Sequence, residues 1–233
     1  MNKISYLFSG LDKDNGFTKE QTRYLKKDIL CKTNIVFISS ISDDFDRNDK
    51  QLSKYIKCFE KIGITFNKSA VIDSRVNSVN AKKLINESDI VFLMGGSPEL
   101  QMCFIKELNI YNDILNCKII LGVSAGSMNQ TQRVIYKDDY NDYKLVDYEG
   151  LDIFKFNFYP HFDLNDKQKL NEVIELSNYI KTFALPNESF IRIDDDSFDI
   201  FGNYYEYQNG EIINENRQDK TLVCYPDNER WKF

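Results

Sequence analysis

An open, mostly parallel β-sheet with helices on both faces, a three-layer α/β fold, is what this 233-residue sequence predicts. Three observations lead there. Up to residue 121, short apolar runs bounded by polar residues alternate with segments of helical periodicity. The runs NIVFIS (34–39) and DIVFLM (89–94) are continuously apolar at their centres, as strands covered on both faces are. The frame Gly122-Val123-Ser124-Ala125-Gly126 follows a strand-like run and opens a helical one. That is how a nucleophile elbow is placed at the carboxyl edge of such a sheet.

Taken in order, residues 4–9 form a short strand ending at Gly10, and 11–16 a polar loop. Thr18 and Gln21 stand in a capping-box relation and open a helix to about residue 30. After the strand 34–39, the polar stretch 40–49 reads as an acidic loop. Leu52, Tyr55, Ile56, Phe59 and Ile62 then recur at helical spacing until Gly63 ends the helix. Residues 64–72 return to strand, 76–86 to helix, and 89–94 to a strand that runs into Gly95-Gly96-Ser97-Pro98 and a helix from Glu99. A further helix, 108–116, feeds the strand 118–121 and the elbow.

Beyond the elbow the pattern changes. The Tyr- and Asp-rich stretch 134–148 predicts a β excursion or long loop over the site, and FKFNFYPHF within 151–162 a strand ending at Pro160-His161. A helix follows over 166–181 and a short strand over 182–185, cut by Pro186. Residues 190–193, 197–201, 204–208 and 211–213 predict an antiparallel C-terminal extension, with Asn209-Gly210 as a hairpin turn and 222–225 closing the sheet. With no repeat and no flexible linker, one domain over 1–233 is expected.

Composition narrows the function. A net charge of −6 leaves no basic surface to draw nucleic acid or an anionic membrane. The amino-terminal MNKISYLFSG lacks the apolar core of a signal peptide, and no apolar run approaches membrane-spanning length, so a cytoplasmic location is expected. Five cysteines (31, 58, 103, 117 and 224), an odd number with no CxxC pair, argue against a disulfide framework or a cysteine zinc site and read as small buried hydrophobes. No dinucleotide fingerprint or P-loop is present, and no cofactor or metal is implied.

The most informative count is the single histidine, His161. A serine hydroxyl needs a base to take its proton, and an imidazole serves best when an acid fixes its tautomer. Ser124 and His161 are therefore the expected nucleophile and base. Asp139, Glu188 and Asp138 are all candidates for the third position. Ala125 N–H, directly after the nucleophile, and Gly96 N–H, in a turn without side chains, are the expected oxyanion donors.

At these residues the sequence resembles the dipeptidase E and cyanophycinase group of serine peptidases. The resemblance is carried by Met94-Gly95-Gly96-Ser97, Ile120-Leu121-Gly122-Val123-Ser124-Ala125-Gly126-Ser127 and Tyr159-Pro160-His161-Phe162. The opening Ser9-Gly10 with Asp14-Asn15-Gly16-Phe17-Thr18 adds to it, and it extends over about residues 3–225. It implies a fold similar to class I glutamine amidotransferases, with serine in place of their cysteine. It also implies a nucleophile at Ser124, a base at His161 and an acid at Asp139 or at or beside Glu188, where Asn187 separates the usual proline–acid pair.

A small intracellular enzyme that removes amino-terminal aspartate from dipeptides is the activity this resemblance suggests. An acidic side chain in a pocket needs a cation, and Arg133 and Lys137, just past the elbow, are the candidates. A small pocket roofed by 136–148 would confine the enzyme to short peptides. Two other readings stand beside the exopeptidase: a serine esterase or amidase on a small non-peptide substrate, and a non-catalytic binding protein on an amidotransferase-like scaffold. The expected partner is a small peptide substrate, and the chain a monomer or homodimer.

Overall fold

The structure, a computed structural model, describes residues 3–11, 16–29, 33–138, 142–195 and 197–216, and the backbone of 223–224. In chain order its elements are β1 (Ile4–Phe8), α1 (Lys19–Asp28), β2 (Thr33–Ile38), α2 (Phe45–Lys61), β3 (Phe66–Ile72), α3 (Ser78–Asn86) and β4 (Ile90–Leu93). Then come α4 (Pro98–Glu107), α5 (Tyr111–Leu115), β5 (Ile119–Val123), α6 (Ala125–Met128), β6 (Arg133–Asp138) and β7 (Lys144–Glu149). The last are β8 (Asn157–Tyr159), α7 (Lys167–Leu176), β9 (Thr182–Ala184), β10 (Phe190–Asp194), β11 (Ser197–Phe201), β12 (Tyr204–Gln208), β13 (Glu211–Asn216) and β14 (Val223–Cys224).

The central sheet has the order β14-β11-β10-β1-β5-β4-β2-β3. From β1 to β3 all neighbours are parallel, whereas β10, β11 and β14 continue the sheet antiparallel beyond β1. Alternate residues of each strand serve opposite layers. Phe37, Phe92 and Leu121 pack with Leu25 of α1 and Tyr55 and Phe59 of α2. Val36, Val91 and Ile120 face the other way, onto Ala81 and Ile85 of α3, Ile105 of α4 and Ile114 of α5. Both faces are thus covered, which is why Ile35–Ile38 of β2 and all of β4 and β5 carry no polar side chain. Of the expected antiparallel extension, only β12 and β13 leave the central sheet, for a second sheet β13-β12-β9-β8 in which β8 and β9 are parallel.

Local chemistry sets the helix ends. The capping box of α1 forms as expected, with Gln21 N–H donating to Thr18 Oγ1 (3.2 Å) and Thr18 N–H to Gln21 Oε1 (3.0 Å). The helix α2 begins well before the apolar run that announces it. Asp44 caps it by accepting from Arg47 N–H at 3.2 Å, so much of the expected loop 40–49 is its polar first turn. The described residues of the stretch 134–148 include the antiparallel pair β6–β7, in register from Arg133 opposite Glu149 to Asp138 opposite Lys144. Cys58 and Cys117 are buried, but Cys103 is exposed on α4, contrary to expectation. Among the described residues, no helix is long and apolar enough to cross a membrane.

Candidate active site

Three segments meet where β1 and β5 end. The first is the elbow, where Ser124 takes φ 52° and ψ −113°, a conformation that costs a non-glycine residue about 1–3 kcal/mol. Two bonds to Phe8 O at the end of β1 hold it: Ser124 N–H at 2.9 Å and Ser127 Oγ at 2.8 Å. The flanking glycines are required by close approach. A Cβ on Gly126 would lie 2.1 Å from Leu93 O, and one on Gly122 would lie 2.5 Å from Gly126 O. The helix that follows, α6, is a single turn.

The second segment is the turn after β8, where His161 also has positive φ, 56°. Its N–H donates to Ser9 Oγ at 2.8 Å, and Ser9 Oγ donates to Leu185 O at 2.7 Å. Ser9, fully buried, thereby ties the end of β1 to the histidine turn and to the segment after β9. Lys169 Nζ secures the His161 carbonyl at 2.7 Å.

The third is the turn 186–189 after β9. His161 Nε2 lies 2.8 Å from Ser124 Oγ, and Nδ1 lies 2.6 Å from Asn187 Oδ1. The group on the far side of the imidazole is therefore an amide. Glu188, one of the three candidates for that place, has φ 73°, which turns the chain through this position, while its carbonyl accepts from Gln21 Nε2 at 3.0 Å. Asp138 ends β6 in register with Lys144 and is not the partner of His161. Asp139 lies outside the described residues. An amide oxygen can only accept, so Nδ1 carries the ring proton and Nε2 turns its lone pair to the serine hydroxyl. Desolvation of the ring by the surrounding protein is the main cause holding the His161 pKa below its usual value. The Asn187 bond opposes this, and the Lys169 charge adds to it.

The Gly95-Gly96 turn lies against the nucleophile, since a Cβ on Gly95 would come 3.6 Å from Ser124 Cβ. Gly95 O accepts from Ser40 Oγ at 2.7 Å and from Arg47 Nη2 at 2.8 Å. Its N–H is bonded to Tyr55, whose burial pushes the phenol up to about 12. Carbonyl and N–H point opposite ways in a trans peptide, so fixing Gly95 O directs Gly96 N–H away from Ser40 and Arg47. Gly96 has φ 143°, and a Cβ there would lie 2.2 Å from Ser40 Oγ and 2.6 Å from Arg47 Nη2. Ala125 N–H, at the start of α6, is a helix-terminal donor without an intrahelical acceptor.

A cleft of about 990 Å³ runs from Ser124, His161 and Asn187 past Gly95 and Gly96 to Arg47, and on along α2 to Gly16 and Cys58. No described residue of β6 or β7 lines it, so the expected roof over a small pocket finds no support among the described residues. Arg133 and Lys137 do not reach it either. Arg133 makes a forked pair with Asp147 (2.8 and 2.6 Å) and Lys137 pairs with Glu175 (2.7 Å). Among the cations that line the cleft with Ser124 is Arg47, whose Nη1 is buried without a hydrogen-bond partner. Among the described residues, no group of three His, Cys, Asp or Glu side chains could hold a metal ion.

Sequence reasoning missed Asn187, Ser9, Ser40 and Arg47. Asn187 is an amide where an acid is the expected partner of a histidine, and Arg47 stands in a polar stretch with the composition of a loop.

Comparison with known proteins agrees with this architecture. The model of peptidase family S51 matches residues 9–201. Peptidase E of Nostoc sp. strain PCC 7120 is 24% identical over 174 residues, which cover 68% of this chain and 69% of that protein. The crystal structure of a peptidase from an acI-B1 Actinobacterium superimposes with a TM-score of 0.69 at 12% identity, covering 97% of this chain and 98% of the other. A candidate peptidase E from Listeria monocytogenes EGD-e gives 0.64 at 16% identity, covering 86% and 98%. At such identities the two structures speak for the fold. The match over most of the chain settles the family: the protein belongs to peptidase family S51 and is a peptidase of the serine type.

Proposed function

We propose that the chain is a serine exopeptidase that hydrolyses short peptides through an acyl-enzyme, with Ser124 as nucleophile, His161 as general base and Asn187 as the group that orients the imidazole. The observation that carries this reading is the unbroken chain of hydrogen bonds from Ser124 Oγ through both ring nitrogens to Asn187 Oδ1. As Oγ attacks the scissile carbonyl carbon, its proton passes to His161 Nε2. The carbonyl oxygen becomes an oxyanion held by the N–H groups of Gly96 and Ala125. Collapse breaks the C–N bond, and the leaving amine takes the proton from Nε2. Water then repeats the sequence on the ester, losing a proton to Nε2, and Ser124 is released with the carboxylic acid.

Asn187 performs the orienting half of what a carboxylate does in other triads, while leaving out the charge. The lowered pKa of His161 suits this arrangement, because the ring stays neutral and able to accept at mildly acidic pH. A preference for amino-terminal aspartate draws no support from Arg133 or Lys137, whose charges are already paired. Arg47 is the cation placed to meet a substrate carboxylate near Ser124.

Hydrolysis of a dipeptide panel, including members with amino-terminal aspartate, tests the reading. Wild type should turn over part of the panel and Ser124→Ala none of it. Equal turnover by both would remove Ser124 from the reaction, and a folded wild type inert on every dipeptide would remove the short-peptide exopeptidase reading.

A further inference from the structure

The two oxyanion donors, Gly96 N–H and Ala125 N–H, stand on separate segments, and their relative position depends on what joins those segments. Ala125 opens α6, and the elbow that carries it is anchored to β1 through Phe8 O and through Tyr6 O, which accepts from Gln130 Nε2 at 3.0 Å. Gly96 stands in the turn after β4, which is anchored to the end of β2. There Met94 N–H donates to Ile38 O at 3.0 Å, and Ser40 Oγ donates to Gly95 O at 2.7 Å. β1 and β2 are not neighbours in the sheet, since β5 and β4 lie between them.

Asn129 joins the two segments. Its N–H donates to Ala125 O at 3.0 Å and closes the single turn of α6. Its side chain crosses to the Gly96 turn, where Nδ2 donates to Pro98 O at 2.9 Å and to Gln101 Oε1 at 3.1 Å. Gln101, in α4, carries the contact to the other side of the turn, its Nε2 donating to Met94 O at 3.1 Å and to Ile38 O at 3.0 Å. The turn is thus held both before and after Gly96. Tyr148 of β7 completes the chain by donating its hydroxyl to Asn129 Oδ1 at 2.8 Å.

A side-chain amide offers two N–H donors and one carbonyl acceptor, and here every one of them is engaged in both Asn129 and Gln101. Neither amide can rotate without breaking bonds, and both residues are fully buried, where a broken bond is costly. Apolar side chains of the same shape could fill this space about as stably. What the closed set of directional bonds adds is a fixed position for the turn.

We propose that Asn129 is a positioning residue for the oxyanion hole: through Pro98 and Gln101 it fixes Gly96 N–H relative to Ala125 N–H, and Tyr148 holds its amide in the orientation that does so. The inference rests on the reading of Ser124 as a nucleophile that becomes acylated, and its test separates the two.

The test is a double-mutant cycle on the full chain. Asn129→Leu keeps the size of the side chain and removes its hydrogen bonds. It should lower kcat at least tenfold, the scale of effect expected from a small misplacement at the reacting centre, with KM nearly unchanged. In a Gly96→Ala background, where the donor it serves is already lost, the same change should cost little more, because the two residues act as a unit. The cycle is read in parallel on the rate at which a fluorophosphonate labels Ser124, a reaction that uses the same oxyanion donors without a peptide. Tyr148→Phe, which removes only the hydroxyl, should slow both reactions several-fold with the melting temperature nearly unchanged, and it carries the same cycle if Asn129→Leu folds poorly. Unchanged rates in a folded Asn129→Leu, or in Tyr148→Phe, would overturn the proposal, as would losses that multiply in full with that of Gly96→Ala. If labelling follows the predicted cycle while wild type cleaves no peptide, the positioning role stands and the peptidase reading falls.

Discussion

Replacing Asn187 with aspartate keeps the shape of the side chain and adds one negative charge beside the imidazole. The contact is 2.6 Å from Nδ1 to Oδ1, which puts the charge centres of an imidazolium–carboxylate pair about 4 Å apart. Coulomb's law at that distance gives about 1 kcal/mol in water and about 4 kcal/mol at an effective dielectric constant of 20. At 1.36 kcal/mol per pKa unit, the His161 pKa should rise by roughly one to two units, because the site borders an open cleft. The sign follows from the mechanism. Only the neutral ring accepts the Ser124 proton, so kcat/KM falls on the acid side of the His161 pKa. In the wild type that limb lies below the ordinary value of 6.5, mainly because the surrounding protein desolvates the ring. In Asn187→Asp it should move upward by about one to two units, while the plateau above it holds or rises, since the carboxylate stabilises the imidazolium formed during reaction. The pH profile of kcat/KM on a cleaved peptide is the assay. A limb that stays in place or moves down would refute the role given to Asn187.

Three other substitutions test neighbouring parts of the account. Gly10→Ala puts a Cβ 2.6 Å from Asn187 Oδ1 and 3.3 Å from His161 Cε1, so kcat/KM should drop at least tenfold, with circular dichroism unchanged. Gly96→Ala meets Ser40 Oγ and Arg47 Nη2 in a backbone conformation that disfavours a side chain. It should lower kcat by about 10²–10³, the usual effect of losing one oxyanion donor, and raise KM as well, because Arg47 must move aside. Away from the site, the Arg192 guanidinium is 6% exposed and bonds Asp28, itself 4% exposed, at 2.7 Å. Asp28→Asn should cost about 3 kcal/mol in urea denaturation, because it leaves a buried cation with only Asp194 beside it.

The parallel half of the fold was legible because burial on both faces leaves an unmistakable run of apolar residues in β2, β4 and β5. The start of α2 was not, because its first turn holds Asp46, Arg47 and Asn48 and is begun by a side-chain cap. Propensity and periodicity are weakest there, and the misplacement hid Arg47. At the site, close packing around Gly122 and Gly126 makes the elbow readable from composition alone. The partner of His161 depends on a turn. With φ 73° at Glu188, residue 187 faces the ring, and no pattern of residue types in Pro186-Asn187-Glu188 announces that choice. The hairpin β6–β7 shows a similar limit. Its strands were foreseeable, but the direction in which it folds is set by long-range packing, including Val134 with Phe154, Phe158 and Phe183.

The claim on which the account turns is that His161 activates Ser124. Labelling with a fluorophosphonate, followed by mass spectrometry of the adduct, tests it most directly. The account predicts one phosphonyl group per chain, located on Ser124. It predicts no label at that position in Ser124→Ala, and labelling slowed at least a hundredfold in His161→Ala. A folded wild type that takes up no label, or that takes it at another residue at the same rate in all three proteins, would contradict it.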